Sequence, residues 1–293
     1  MAKGLLAPEA YLSFERVWDD DLGSHRESGQ RHVSILDDHD HVSGDKVRFS
    51  SDAASDVQVV AGVALQLLSL GIACIYYGTE QSFAGPEKSE RDQYLPDYNR
   101  GNPPPDKYLR EAMFGPEHPL KSGNAGFVAA QPVTDSAFPG FGPFGTTGHH
   151  CFDPTSPAYR RIAALCAARK RFPVLHSGRQ YQRPISNFGQ PFALPPAGEL
   201  IAWSRILDDE EALCIVNGHG VARRGGDVVV DAQLNGAPGA TMEVVVNTAQ
   251  SGSGAFAGTH PVGQKLPVRF REGAAYVEIR DVGPSEVLVL MNK

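Results

Sequence analysis

Residues 34–45, SILDDHDHVSGD, hold two histidines and four aspartates in twelve positions, directly after a short run with β-branched residues. Within this stretch His39 and Asp40 suit a polar, hydroxyl-rich ligand. An imidazole donates to a hydroxyl, and a carboxylate stabilises developing positive charge such as an oxocarbenium ion. His39 and His41 suit a metal instead: two positions apart on extended chain they point the same way, as paired histidine ligands do. A solvated acidic turn explains the same composition with no ligand. A second histidine pair stands in HHC, residues 149–151, where an ordinary Gly-flanked loop is the simpler account. Tyr76 and Tyr77, before Gly78, either pack into a core at a strand end or turn one ring to a ligand as a stacking platform.

These groups need elements to hold them. HVSIL, residues 32–36, reads as a short strand ending in the acidic cluster. Residues 56–70, DVQVVAGVALQLLSL, read as a nearly all-apolar helix stopped by Gly71, and IACIYYG as a buried strand closed by Gly78. Strand, helix and strand in about 45 residues have the size of a βαβ unit. In an α/β barrel the chemistry sits on loops at the C-terminal strand ends, the position of the residues that follow VSIL.

Residues 84–150 turn to Gly, Pro, Phe and charge, a long irregular insertion that is either functional or mobile. Helix grammar returns at 153–173: Ser156 at an N-cap, Pro157 at the first helical position, basic residues at the end and Pro173 as a stop. Beyond residue 175 the pattern is all β, about seven short strands between Gly, Pro, Asp and Asn turns, which predicts an antiparallel sandwich with Trp203 in its core.

The totals bound what such a chain does. Its 293 residues, 41% of them apolar, supply a real core. With 27 Lys and Arg against 34 Asp and Glu the net charge is -7, without a basic cluster, so nucleic acid is not expected as a partner. No window reaches a membrane span, and the N-terminus is too short in apolar residues for a signal-peptide core, so the chain as written reads as cytoplasmic. Cys74, Cys151, Cys166 and Cys214 form no CxxC pair, and isolated buried thiols are expected.

Together the segments resemble the C-terminal portion of the α-amylase family, glycoside hydrolase family 13. ILDDHD, residues 35–40, resembles the family's fourth conserved region, a hydrophobic pair followed by Asp, Asn, His and Asp at the end of barrel strand seven. GIACIYYGTEQ, residues 71–81, resembles its strand eight region, and residues 153–179 are similar to its last barrel helix and the entry to its C-terminal β domain. The resemblance runs from about residue 32 to the end, with Asp38 in place of the usual Asn and Ala73 in place of the usual Pro. A carboxylate at 38 cannot donate as an amide does.

The resemblance implies an α/β plus all-β chain. Residues 1–31 lead into the barrel, 32–178 form the last quarter of a (β/α)8 barrel with strands seven and eight, and 179–293 form a β-sandwich. It implies Asp40 as the carboxylate that stabilises the transition state, with His39, Asp38, Tyr77 and Glu80 contacting an α-glucan or α-glucoside. No metal or other cofactor is expected. The family's nucleophile and general acid come from strands four and five. Only 31 residues precede HVSIL, where six βα units would need about 180, so the chain alone is expected to be inactive and to self-associate through an exposed barrel edge. Two competing readings remain: a stand-alone carbohydrate-binding or assembly module, and a metal-dependent hydrolase using His39 and His41.

Overall fold

A computed structural model describes residues 29–39, 48–53, 55–83, 133–134, 149–150, 154–251 and 258–292. The chain divides into two compact units, Met1–Ser34 with Val60–Cys74 and Arg161–Lys293, and Ile35–Val59 with Ile75–Arg160. In chain order the early elements are β1 (Val33–Ile35), α1 (Phe49–Asp52), α2 (Asp56–Leu68), β2 (Ile72–Cys74) and a 3-10 turn over Thr79–Gln81. Two short pieces, β3 (Val133–Thr134) and β4 (His149–His150), pair antiparallel. They are the described part of the expected insertion at 84–150.

The first unit is built around two antiparallel sheets. After α3 (Pro157–Arg171) and α4 (Val174–Ser177) come β5 (Arg179–Gln182), β6 (Ile185–Ser186), β7 (Leu200–Leu207), β8 (Glu210–Asn217), β9 (Arg224–Val230) and β10 (Thr241–Asn247). A short α5 (Thr248–Ser251) leads on to β11 (Lys265–Pro267), β12 (Arg269–Arg271), β13 (Ala274–Val282) and β14 (Val287–Asn292). One sheet has the order β11-β10-β14-β8-β7-β5, the other β12-β13-β9-β6. Alternate residues meet between them: Leu213 and Ile215 of β8 share a core with Val228 and Val230 of β9 and with Val277 and Ile279 of β13. Each such side chain contributes roughly 1.5–3 kcal/mol by leaving water. This is the β-sandwich that the strand spacing predicts.

Strands β7 and β8 are buried on both faces, because helical segments of the same unit cover the outer side of the larger sheet. Trp203 is fully buried, but it belongs to that outer side and not to the core between the sheets. Its Nε1 donates to the Leu68 carbonyl, 3.0 Å, at the end of α2. Arg205 Nη1 donates to the carbonyls of Leu68 and Leu175, both at 2.9 Å, and Nε and Nη2 donate to Gly178 O. The last carbonyls of a helix have no partner within it, and here buried side chains from a strand supply one. Burial lowers the Arg205 guanidinium to about 10, so it stays charged at neutral pH.

Both early strands are shorter than the sequence patterns predict, and they are not buried. β1 and β2 form a two-stranded sheet, and Val33 and Ile72 remain 47% and 45% exposed. The side of Ser34 is covered, where Gln66 Nε2 of α2 donates to Ser34 O at 2.8 Å and to Cys74 O at 3.3 Å. Among the described residues no other strand joins this pair, and its alternate residues stay exposed. The helix between them matches its prediction closely, with Asp56 in the first turn, favourable for the dipole, and the chain turning at Ser69.

Candidate functional site

The chemistry-bearing residues gather in the second unit, on the segment that follows β1 and the segment that follows β2. Asp37 is 3% exposed, and its two oxygens do different work. Oδ1 accepts from the Phe49 amide at 2.7 Å, the first residue of α1. Oδ2 accepts from Thr79 Oγ1 at 2.9 Å. The N-cap residue of α1, Arg48, offers no side-chain cap, so a carboxylate twelve positions away satisfies one of the helix's orphan amides. The same carboxylate ties the acidic segment to the turn after the tyrosines.

Arg48 itself is buried beneath aromatic rings. Its guanidinium carbon lies 4.5 Å from the Tyr76 ring centre, 5.5 Å from that of Tyr77 and 5.8 Å from that of Phe83, and Nη2 donates to Tyr77 O at 2.8 Å. A desolvated cation over ring faces is attracted by about 2 kcal/mol. Gly78 completes this packing. With φ at +83°, it stands where a Cβ would fall 2.3 Å from Phe83 Cδ2 and 2.8 Å from Arg48 Nη2, so no other residue fits without displacing the stack. Thr79 and Gln81 are buried behind it, and the Phe83 amide closes back on Gly78 O at 2.9 Å.

The surface that this scaffold presents carries four of the five residues singled out in the sequence. His39 is exposed, with its ring centre 6.3 Å from that of Tyr76. Tyr77 is 38% exposed and meets Tyr76 edge-on at 4.6 Å. Asp38 and Glu80 are half-buried on the two segments. Burial pushes the Glu80 carboxyl above its ordinary 4.5, and this exceeds the opposing pull of the Glu80 and Gly78 backbone hydrogen bonds and of Arg48. Asp40 and His41 lie outside the described residues, as does Cys151 of the HHC stretch. Among the described residues no group of three or more His, Cys, Asp or Glu side chains is placed to hold a metal ion.

The two segments are brought together, with Asp37 and Thr79 as the link. Sequence reasoning passed over three parts of that link. Asp37 is one aspartate among several, and its burial is invisible in composition. Arg48 and Phe83 have no local signature, because a cation stacked on rings far along the chain exists only through topology. What the described groups can do is bind: an exposed imidazole, a half-exposed phenol ring and two carboxyls offer hydrogen bonds and a stacking face to a polyhydroxylated ligand.

No family model matches the sequence, and no curated protein matches it. Solved structures do. The chain is similar to a gamma-CGTase from an alkalophilic Bacillus clarkii, at 17% identity over 93% of this chain and 28% of that one, with a TM-score of 0.49. It is similar to isomaltulose synthase from Klebsiella sp. LX3, at 14% identity over 89% of this chain and 43% of that one, with a TM-score of 0.47. A cyclomaltodextrin glucanotransferase with a three-domain ABC distribution matches at 19% identity over 88% of this chain and 36% of its own, with a TM-score of 0.46. These are enzymes of the α-amylase family, whose motifs the sequence resembles. The chain spans less than half the length of each. With TM-scores below 0.5, the reading of function rests on the residues themselves.

Proposed function

We propose that this chain is the C-terminal part of an α-amylase-family glycoside hydrolase or transglycosylase, and that residues 37–40 and 76–80 form one wall of an α-glucan cleft. The observation that carries this reading is the Asp37 bridge. Two motifs whose order in the sequence resembles that family, ILDDHD and YYGTE, are held together by the 2.9 Å contact from Thr79 Oγ1 to Asp37 Oδ2. In this reading β1, α2 and β2 are the last strands of a partial barrel with the helix between them. His39, Asp38 and Tyr77 bind substrate hydroxyls, and Glu80 flanks them. Asp40 stabilises the oxocarbenium-like transition state.

A retaining glycosidase also needs a nucleophilic carboxylate and a general acid about 5–5.5 Å apart. In the proposed assignment these come from parts of the parent enzyme other than this chain. Stabilisation without a nucleophile or acid leaves most of the barrier standing. The purified chain is therefore expected to turn over starch, maltooligosaccharides and sucrose no faster than a blank, and Asp40→Asn is expected to change nothing. Turnover by this chain that disappears in Asp40→Asn would contradict the assignment and require both missing carboxyls to be found here, with Asp37, Asp38 and Glu80 tested first. The two competing readings, a binding or assembly module and a metal-dependent hydrolase at His39 and His41, have no comparable observation among the described residues.

A further inference from the structure

A second feature lies in the first unit, on the smaller sheet of the sandwich. Among the described non-glycine residues with positive φ, five are Ser, Asp or Glu and the sixth is Phe188, with φ at 53°. It sits with Gly189, φ 78°, in a four-residue turn closed by the Gln190 amide on Asn187 O at 3.0 Å. Two successive positive φ values are the geometry that Asn-Gly or Gly-Gly adopts without strain. A bulky residue is costly there, and this one gains no burial in return: Phe188 is fully exposed.

The turn is braced. Arg271 Nη2 donates to Ser186 Oγ at 2.7 Å, Ser186 Oγ donates to Gln190 O, and the Arg271 guanidinium stacks 4.7 Å from the Phe192 ring centre. The exposed ring is thus carried on a rigid base. It borders a surface cavity of about 670 Å³. Three arginines at this cavity are each engaged with an acid: Arg224 with Glu199 at 3.0 Å, Arg223 with Asp281 at 3.2 Å and Arg280 with Asp227 at 2.5 Å. Arg271 holds the other Asp227 oxygen at 2.9 Å. The charges at this cavity are therefore largely balanced, which offers little to a free anion or cation.

We propose that this cavity is a second saccharide-binding site, remote in sequence from residues 37–40 and 76–80, in which the Phe188 ring stacks on a glucosyl face while the arginine and carboxylate side chains beside it hydrogen-bond its hydroxyls. Neutral ligands of this kind fit pockets that combine an aromatic face with a few convergent polar groups, and a preformed site loses little entropy on binding. The choice of α-glucan as the saccharide rests on the function proposed above.

The test is a titration of the 15N-labelled full chain with maltoheptaose, following two separate sets of backbone amides. Those of Phe188, Gly189, Arg224 and Gly225 are expected to shift with a saturable curve. Phe188→Gly relieves the turn, so it is expected to melt no lower than the wild type, while the affinity read at those amides falls at least about tenfold. Silent amides in this set, or an unchanged affinity in Phe188→Gly, would overturn the second site whatever happens at Tyr77. Shifts confined to the Phe188 set would instead leave this site standing and tell against the proposed cleft wall.

Discussion

Glu80 is a residue of the candidate site whose titration the fold alters. Burial disfavours its charged form, so its folded pKa lies above the 4.5 of the free group. The folded chain then holds the proton more tightly than the unfolded one. Stability is greatest below that value and falls as pH rises through the folded pKa. Glu80→Gln keeps the shape and cannot ionise. The variant is expected to match the wild type in denaturant unfolding at about pH 4 and to exceed it increasingly toward about pH 7. A difference that stays constant with pH, or reverses, would show that the Glu80 carboxylate is not disfavoured by folding. The same raised pKa means that the Glu80 carboxyl keeps its proton, and with it a hydrogen bond to offer a sugar hydroxyl, to higher pH than a free glutamate does.

Asp37 matters as a joint between elements. It caps α1 from outside and ties the acidic segment to the 3-10 turn at Thr79–Gln81. Asp37→Ala leaves a helix amide and a buried hydroxyl unanswered, a loss of roughly 1–3 kcal/mol per group. Amide exchange at Phe49 and Gln81 is expected to accelerate by at least about tenfold, while exchange in β7 and β8 stays unchanged. Uniform acceleration across the chain would mean that Asp37 supports global stability instead. How much of this was legible in the sequence depends on distance along the chain. The helix at 56–68, the helix at 157–171 with Ser156 at its cap and the main strands of the sandwich follow from local periodicity and turn residues. β5 and β6 were missed because four- and two-residue strands are too short to show an alternation. Trp203 is buried as expected but on the helix-covered side, because alternation reports that a face is buried and not what buries it. Asp38, His39, Tyr77 and Glu80 were recognisable through their motifs, whereas Arg48 and Phe83 are joined to them by contacts that no spacing rule contains.

At the scale of the whole molecule, the β1–β2 sheet leaves Val33 and Ile72 about half exposed. Apolar strand surface of this kind is a template for association, and the isolated chain is expected to self-associate. Sedimentation should show a concentration-dependent rise in mass that Val33→Lys with Ile72→Lys suppresses, and a monomer at every concentration would refute it. The central claim is narrower: the segments joined by Asp37 are a wall that binds α-glucan. The direct measurement follows the amides of His39, Tyr77, Gly78 and Thr79 in the 15N-labelled chain as maltoheptaose is added, in the wild type and in Tyr77→Ala. The account predicts saturable shifts at these four positions in the wild type, lost in Tyr77→Ala while the amides of the sandwich keep their positions in the unliganded spectrum. Wild-type amides that do not move at saturating maltoheptaose, or that move equally in Tyr77→Ala, would contradict it.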